Sequence, residues 1–291
     1  MQNRLLVVET RNITFHHHNI TKLKMNTSRT FYNIIALAKE DQSDIAAVTK
    51  RQEWMRNGNK WDDIIQGREL PHNTKYMVVD LETHDWKCND PLLAHGRIVE
   101  IAWQLFSDLG ECLESKQYLI KPYGTYKEIA RKATAVHGIT SRQAYEHGVD
   151  VKLVLDELIR IVANIPNDGF VIAHNMDHEH TVLTNSFSTD QRVVWDGVPK
   201  SDTMLVSLLK YLPSSNHHNK RSLSLSSVPI LVKHKLKQLH KFVYQDQAAV
   251  YDYDYDHFAD KDVRMTWEIF QYYQQHATVN ELKWEESGEL K

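Results

Sequence analysis

The sequence predicts an α/β fold, a sheet flanked by helices, and three stretches predict it. Met77–Thr83 is a run of large and β-branched apolar residues that ends on two carboxylates, Asp80 and Glu82. Val151–Asn164 places Val151, Leu153, Val154, Leu158, Ile161 and Val162 at helical spacing. Gly169–Ala173 is short and wholly apolar, as in a sheet centre covered on both faces. Strands first, then helices alternating with a central strand, indicate α/β rather than all-β packing.

In chain order, residues 1 to about 30 show no sustained period and carry His16-His17-His18, the composition of a poorly ordered extension. Ile34, Ile35, Leu37, Ile45, Ala46 and Val48 predict one or two short helices up to Met55, and Trp61–Leu70 a further helical turn. Pro71-His72-Asn73 punctuates the entry to the first strand. The first 70 residues therefore read as a mainly helical N-terminal extension, 71–278 as the main domain and 279–291 as a tail.

A second strand is expected over Arg97–Phe106 and a third over Cys112–Ile120, joined by the hairpin-like Asp108-Leu109-Gly110. Ile129–Ala135 is weakly helical, and Thr140 or Ser141 caps the helix that follows His137-Gly138-Ile139. Further helices are expected from Asn175 through Leu183, over Thr203–Leu212, over the basic His234–Val243 and over Ala259–Gln275. Ser214–Pro229 is rich in Ser, His and Asn and reads as a loop.

A chain of 291 residues with 42% apolar and 25% charged residues has the composition of a globular protein with a sizeable core. A net charge of -3 supplies no global basic field, so a nucleic-acid partner must be held by a local patch or through metal ions. Cys88 and Cys112 lack C-x-x-C spacing, which excludes a zinc ribbon or a disulfide framework. Leu5–Val8 is too short for a signal-peptide core, so the chain is expected to be intracellular, in cytoplasm or nucleus.

The first strand invites a chemical reading. Residues two apart on a strand share a face, so Asp80 and Glu82 point the same way. Two such carboxylates repel one another and resist desolvation unless a divalent metal lies between them. Alone, Asp-x-Glu is equally an ordinary polar strand end. Two further acidic clusters stand downstream, His174-Asn175-Met176-Asp177-His178-Glu179 after the central strand and His257-Phe258-Ala259-Asp260-Lys261-Asp262 at the head of the last helix.

With these motifs the chain resembles the DnaQ-like 3′–5′ exonucleases. The subgroup is DEDDh, named for three acidic motifs with a histidine in the last. The likeness covers roughly residues 75 to 275. It implies a ribonuclease-H-like fold, a mixed central sheet flanked by helices. It implies that Asp80, Glu82, Asp262 and an acid of the second motif bind two divalent cations, Mg²⁺ or Mn²⁺, and that His257 is the general base for an attacking water. Two such ions, about 4 Å apart, clamp the attacking and leaving oxygens of a phosphodiester. A histidine titrating near pH 6.5 can take the water's proton where a metal-bound carboxylate cannot easily do so.

The second motif departs from the family's pattern. An aspartate is expected five residues after His174, where this chain has Glu179, while Asp177 lies only three residues on. Glu179 fits the register, with Leu183 in the apolar slot four residues beyond it, and Asp177 remains the alternative. His174, His178 and His180 also suggest zinc, but neither a His-Glu-x-x-His motif nor partner cysteines accompany them.

By the same resemblance, the backbone around Leu81 and Thr83, with His137 and Asn175, would touch the terminal nucleotide of a nucleic acid with a free, single-stranded 3′ end. His137 could equally be a structural turn residue. Lys220, Arg221, Lys233, Lys235, Lys237 and Lys241 would bind phosphates or simply form a solvated face. The expected function is metal-dependent 3′–5′ exonuclease activity on DNA or RNA. The alternative is a nucleic-acid-binding module whose nuclease site is weak or inactive because Glu179 fails to complete it.

Overall fold

The computed structural model describes residues 45–85, 96–124, 128–206, 235–244 and 258–275. Helix α1 spans residues 45–56. Three strands follow, β1 (Tyr76–Thr83), β2 (Ile98–Phe106) and β3 (Cys112–Leu119). Then come α2 (Arg131–His137), α3 (Ser141–His147), α4 (Val151–Val162), β4 (Phe170–Ala173), α5 (Met176–Thr184) and α6 (Thr189–Gly197). The last elements are β5 (Lys200–Asp202), α7 (Thr203–Val206), α8 (Leu236–Val243) and α9 (Ala259–Gln274).

The five strands form one mixed sheet in the order β3-β2-β1-β4-β5, as the α/β expectation requires. β1, β2 and β3 pair antiparallel, whereas β1, β4 and β5 run parallel. Strand β1 thus sits where the two halves join and is hydrogen-bonded on both edges.

Alternation along β1 sorts its side chains between two cores. Met77, Val79 and Leu81 pack with Val154, Leu155, Leu158 and Ile161 of α4 and with Trp195 of α6. Tyr76 and Val78 pack on the opposite face with Val263, Trp267 and Phe270 of α9 and Leu239 of α8. The Trp267 ring stacks on Phe106 at 3.8 Å between centroids and fixes α9 across the sheet. Strand β4 is buried on both faces, which explains its uninterrupted apolar sequence.

Local signals set the helix boundaries. Of the two residues expected to cap α3, Thr140 does so, in a capping box with Gln143. Asp150 caps α4 through the Lys152 N–H.

Three expectations need correction. Residues 61–70 form no helix, and Trp61 instead lies buried against Trp54 of α1. The helix expected from Ile129 starts at Arg131, and α2 runs on to His137. Elements α6 and β5 were not anticipated. Strand β5 reads Lys-Ser-Asp, and its burial comes wholly from its neighbours, so its sequence carries no strand signal.

The segment 45–70 is integral to this body. Trp54 and Trp61 share a core with Val99, Leu119, Ile139 and Phe258. Arg68 bridges Glu114 of β3 and Glu157 of α4. Expectations for residues 1–44, Cys88, Lys220, Arg221, Lys233, the loop at 214–229 and the tail at 279–291 fall outside the described residues, as do residues 207–212 of the helix expected from Thr203. Among the described residues no helix is long and apolar enough to cross a membrane.

Candidate active site

Asp80 and Glu82 continue the row begun by Tyr76 and Val78, so their side chains face α9. The first turn of α9 carries Asp262 onto the same face. One carboxylate oxygen from each of Asp80, Glu82 and Asp262 lies within 4.8 Å of the others, the one such grouping of potential metal ligands among the described residues. Asp262 is buried and Glu82 nearly so.

This proximity has an electrostatic cost. Burial pushes the Asp80 carboxyl well above its ordinary range, and the charges of Asp262, Glu179 and Glu82 push it further. Burial does the same to Glu82, reinforced by Asp262 and Glu100, while Arg51 pulls the other way. Glu179 is also raised, first by burial and then by Asp202 and Asp177, against a lowering backbone hydrogen bond. Crowded carboxylates held this way favour protonation or a cation between them.

Glu179 of α5 is 3% exposed, and its Oε2 is buried without a hydrogen-bond partner among the described residues. Its oxygen is outside the group of three, but Asp80 and Glu82 both feel its charge. Asp177 is half-buried, and its charge helps to raise Glu179. An all-oxygen donor set with one buried oxygen left over fits a hard divalent cation. Among the described residues, His174, His178 and His180 form no grouping of potential metal ligands. His174 Nδ1 lies 2.9 Å from Thr203 Oγ1, and His180 Nδ1 accepts from Trp195 Nε1 at 3.1 Å.

The start of α5 is held by a residue that the sequence did not single out. Asp202, buried at the end of β5, accepts from the backbone N–H groups of Asn175 and Met176 at 3.0 Å each, and of Met204 at 2.8 Å. It thereby satisfies orphan donors at the heads of α5 and α7. Asn175 adopts a left-handed conformation at φ 84°, which asparagine tolerates better than most residues. Asp202→Ala leaves three backbone N–H groups without this acceptor and is expected to cost on the order of 3 kcal/mol in urea unfolding.

Of the residues expected to meet substrate, Leu81 turns its side chain into the α4 core, so only its backbone is available. Thr83 is buried at the end of β1. His137 is buried as the last residue of α2, and its Nδ1 accepts from the Ile139 N–H at 3.1 Å. Lys235 and Lys241 are exposed on or beside α8, and Lys237 is half-buried. His257, the expected general base, lies outside the described residues, immediately before Phe258.

Beside these stand Glu100, Arg51 and Asp260. Glu100 is paired in register with Glu82 across β1 and β2 and is fully buried. Asp260 is pushed up to about 6, chiefly by burial and then by the charge of Glu100. The signal for Glu100 was available, since an acid inside the apolar run Ile98-Val99-Glu100-Ile101 needs a partner when buried. Nothing in the sequence pointed to Arg51 as that partner.

No family model matches the chain, and no curated protein matches it. Solved structures do. Exonuclease I of E. coli, crystallised in complex with a dT13 oligonucleotide, aligns over 69% of this chain and 41% of its own at 16% identity, with a TM-score of 0.50. A moderately thermophilic Exonuclease I from Methylocaldum szegediense aligns over 69% of this chain and 40% of its own at 18% identity, with a TM-score of 0.46. The match therefore spans less than half of either Exonuclease I chain. The mixed five-stranded sheet with flanking helices resembles that of E. coli Exonuclease I, and the fold is ribonuclease-H-like.

Proposed function

We propose that this chain is a metal-dependent 3′–5′ exonuclease of the DEDDh kind, acting on nucleic acid with a free, single-stranded 3′ end. The observation that carries the proposal is the convergence of Asp80, Glu82 and Asp262 from two distant segments onto one face of β1. Such a cluster is unfavourable by itself and useful only with cations. The order of the motifs along the chain supports the same reading.

Asp80, Glu82, Asp262 and Glu179 would hold two divalent cations, Mg²⁺ or Mn²⁺, in this reading. The ions supply a nucleophile at neutral pH and offset charge on the phosphate. His257 takes the proton of the attacking water at a ring nitrogen. Asn175, His137 and the backbone from Leu81 to Thr83 orient the terminal nucleotide, and the α4 core behind Leu81 keeps that backbone rigid. Glu179 retains the charge of the usual aspartate with one more methylene, which its fully buried place on α5 accommodates.

Exonuclease I of E. coli, of the same fold, is seen with a dT13 oligonucleotide, so single-stranded DNA is the first substrate to test. Purified protein with Mn²⁺ or Mg²⁺ should shorten 5′-labelled single-stranded DNA or RNA stepwise from the 3′ end, and EDTA should stop it. Matched RNA and duplex substrates then set the preference. Labelled strands left at full length under all these conditions, but still bound, would point instead to an inactive binding module.

A further inference from the structure

Helix α1 sends one cation into the protein. The Arg51 side chain is 0% exposed. Its Nη1 and Nη2 donate to the two Glu100 oxygens at 3.0 and 3.1 Å, a bidentate pair. Its Nε and Nη2 also donate to the His137 carbonyl, at 3.1 and 3.0 Å. That carbonyl belongs to the last turn of α2, where helical partners run out. Glu100 is further held by Trp61 Nε1 at 2.6 Å and Gln117 Nε2 at 2.9 Å.

Helix and turn also meet through backbone. Gly138 has φ +72°, and a Cβ there would lie 2.3 Å from the Ala47 carbonyl oxygen of α1. Only glycine suits both the left-handed conformation and the gap. On the other side, Glu100 stands opposite Glu82 across β1 and β2. One guanidinium therefore ties together the strand pair that bears an acid of the site and the turn that bears His137.

We infer that Arg51 is a positioning residue, which fixes the His137–Gly138 turn relative to the Glu82 end of β1 through its bonds to Glu100 and to the His137 carbonyl. The inference rests on the nuclease reading above, in which His137 meets the terminal nucleotide. It makes α1 part of the frame of the site. An Arg51 that is merely structural would alter stability alone. A positioning Arg51 alters how substrate is held in protein that is still folded.

The test uses the full chain. Arg51→Met alone strands a buried Glu100, so it is combined with Glu100→Gln, which removes the charge and keeps an oxygen for Trp61. The folded double variant should raise KM for a single-stranded oligonucleotide about tenfold, with kcat within about threefold of wild type. His137→Ala should raise KM similarly, and adding it to the double variant should change little more, because Arg51 acts through His137. Should the double variant not fold, Arg51→Lys takes its place, since lysine keeps the charge but cannot span carboxylate and carbonyl together. An unchanged KM in folded variants, or effects of Arg51 and His137 that simply multiply, overturns the inference alone. Wild-type protein that neither binds nor cleaves any oligonucleotide removes the nuclease reading and the inference with it.

Discussion

Asp80→Asn is expected to lower nuclease turnover by on the order of 10³-fold while making the metal-free protein more stable. Both effects follow from the same crowding. Asp80 stands beside Glu82 and Asp262, with Glu179 near enough to act on it, and its carboxyl is raised well above its ordinary range. A raised carboxyl means that the folded state holds a proton which the unfolded chain has already lost. Stability is therefore full below the ordinary carboxylate range, around pH 4, and falls as pH rises towards the folded value. Asparagine removes one charge from the cluster and with it part of that fall. In EDTA at pH 8 the variant should melt above the wild type, and the gap should shrink towards pH 4. Mn²⁺ should raise the melting temperature of wild type more at pH 8 than at pH 5, and that of Asp80→Asn less. A variant that lost both activity and stability at pH 8 would mark Asp80 as an ordinary structural acid.

Among single substitutions, Arg51→Ala carries the largest expected loss of stability, about 3–5 kcal/mol in urea unfolding. The substitution leaves Glu100 buried without its cation, opposite Glu82, and strips the His137 carbonyl of two donors. Trp61 and Gln117 still donate to Glu100, but neither supplies a charge. Deleting residues 1–70 should be worse. That cut removes Arg51 together with Trp54 and Trp61, which share a core with Val99, Leu119 and Phe258. Protein lacking residues 1–70 is expected to be insoluble or molten by near-ultraviolet circular dichroism. A well-folded truncated protein would show that the core closes without α1.

The contrast between Asp80 and Arg51 shows what a sequence exposes and what it hides. Asp80 and Glu82 were readable because local rules suffice: an apolar run makes the strand, and a two-residue period aligns the acids. Asp262 was readable through motif spacing, and α4 and α9 through helical period. The three-dimensional grouping of Asp80, Glu82 and Asp262 then followed from the packing of α9 across β1, which no local rule specifies. Arg51 and Glu100 are 49 positions apart, and Asp202 reaches back 27 positions to Asn175. Partnerships at such range leave no periodic trace, and an arginine on a helix that also carries Lys50 and Arg56 looks like any solvated cation. Strand β5 was missed for a related reason, since Lys200, Ser201 and Asp202 are strand-forming only because β4 offers them an edge.

The place of β1 in the sheet also sets how long the floor of the site lasts. Its amides and carbonyls are engaged by β2 on one side, and its first half by β4 on the other. In a native-state hydrogen-exchange experiment such a strand belongs to the slowest class, opening only when the whole domain unfolds. Opening of α5 short of global unfolding would change how Glu179 presents itself. The separation of Asp80 and Glu82 persists through all of it, with the lifetime of the folded protein itself.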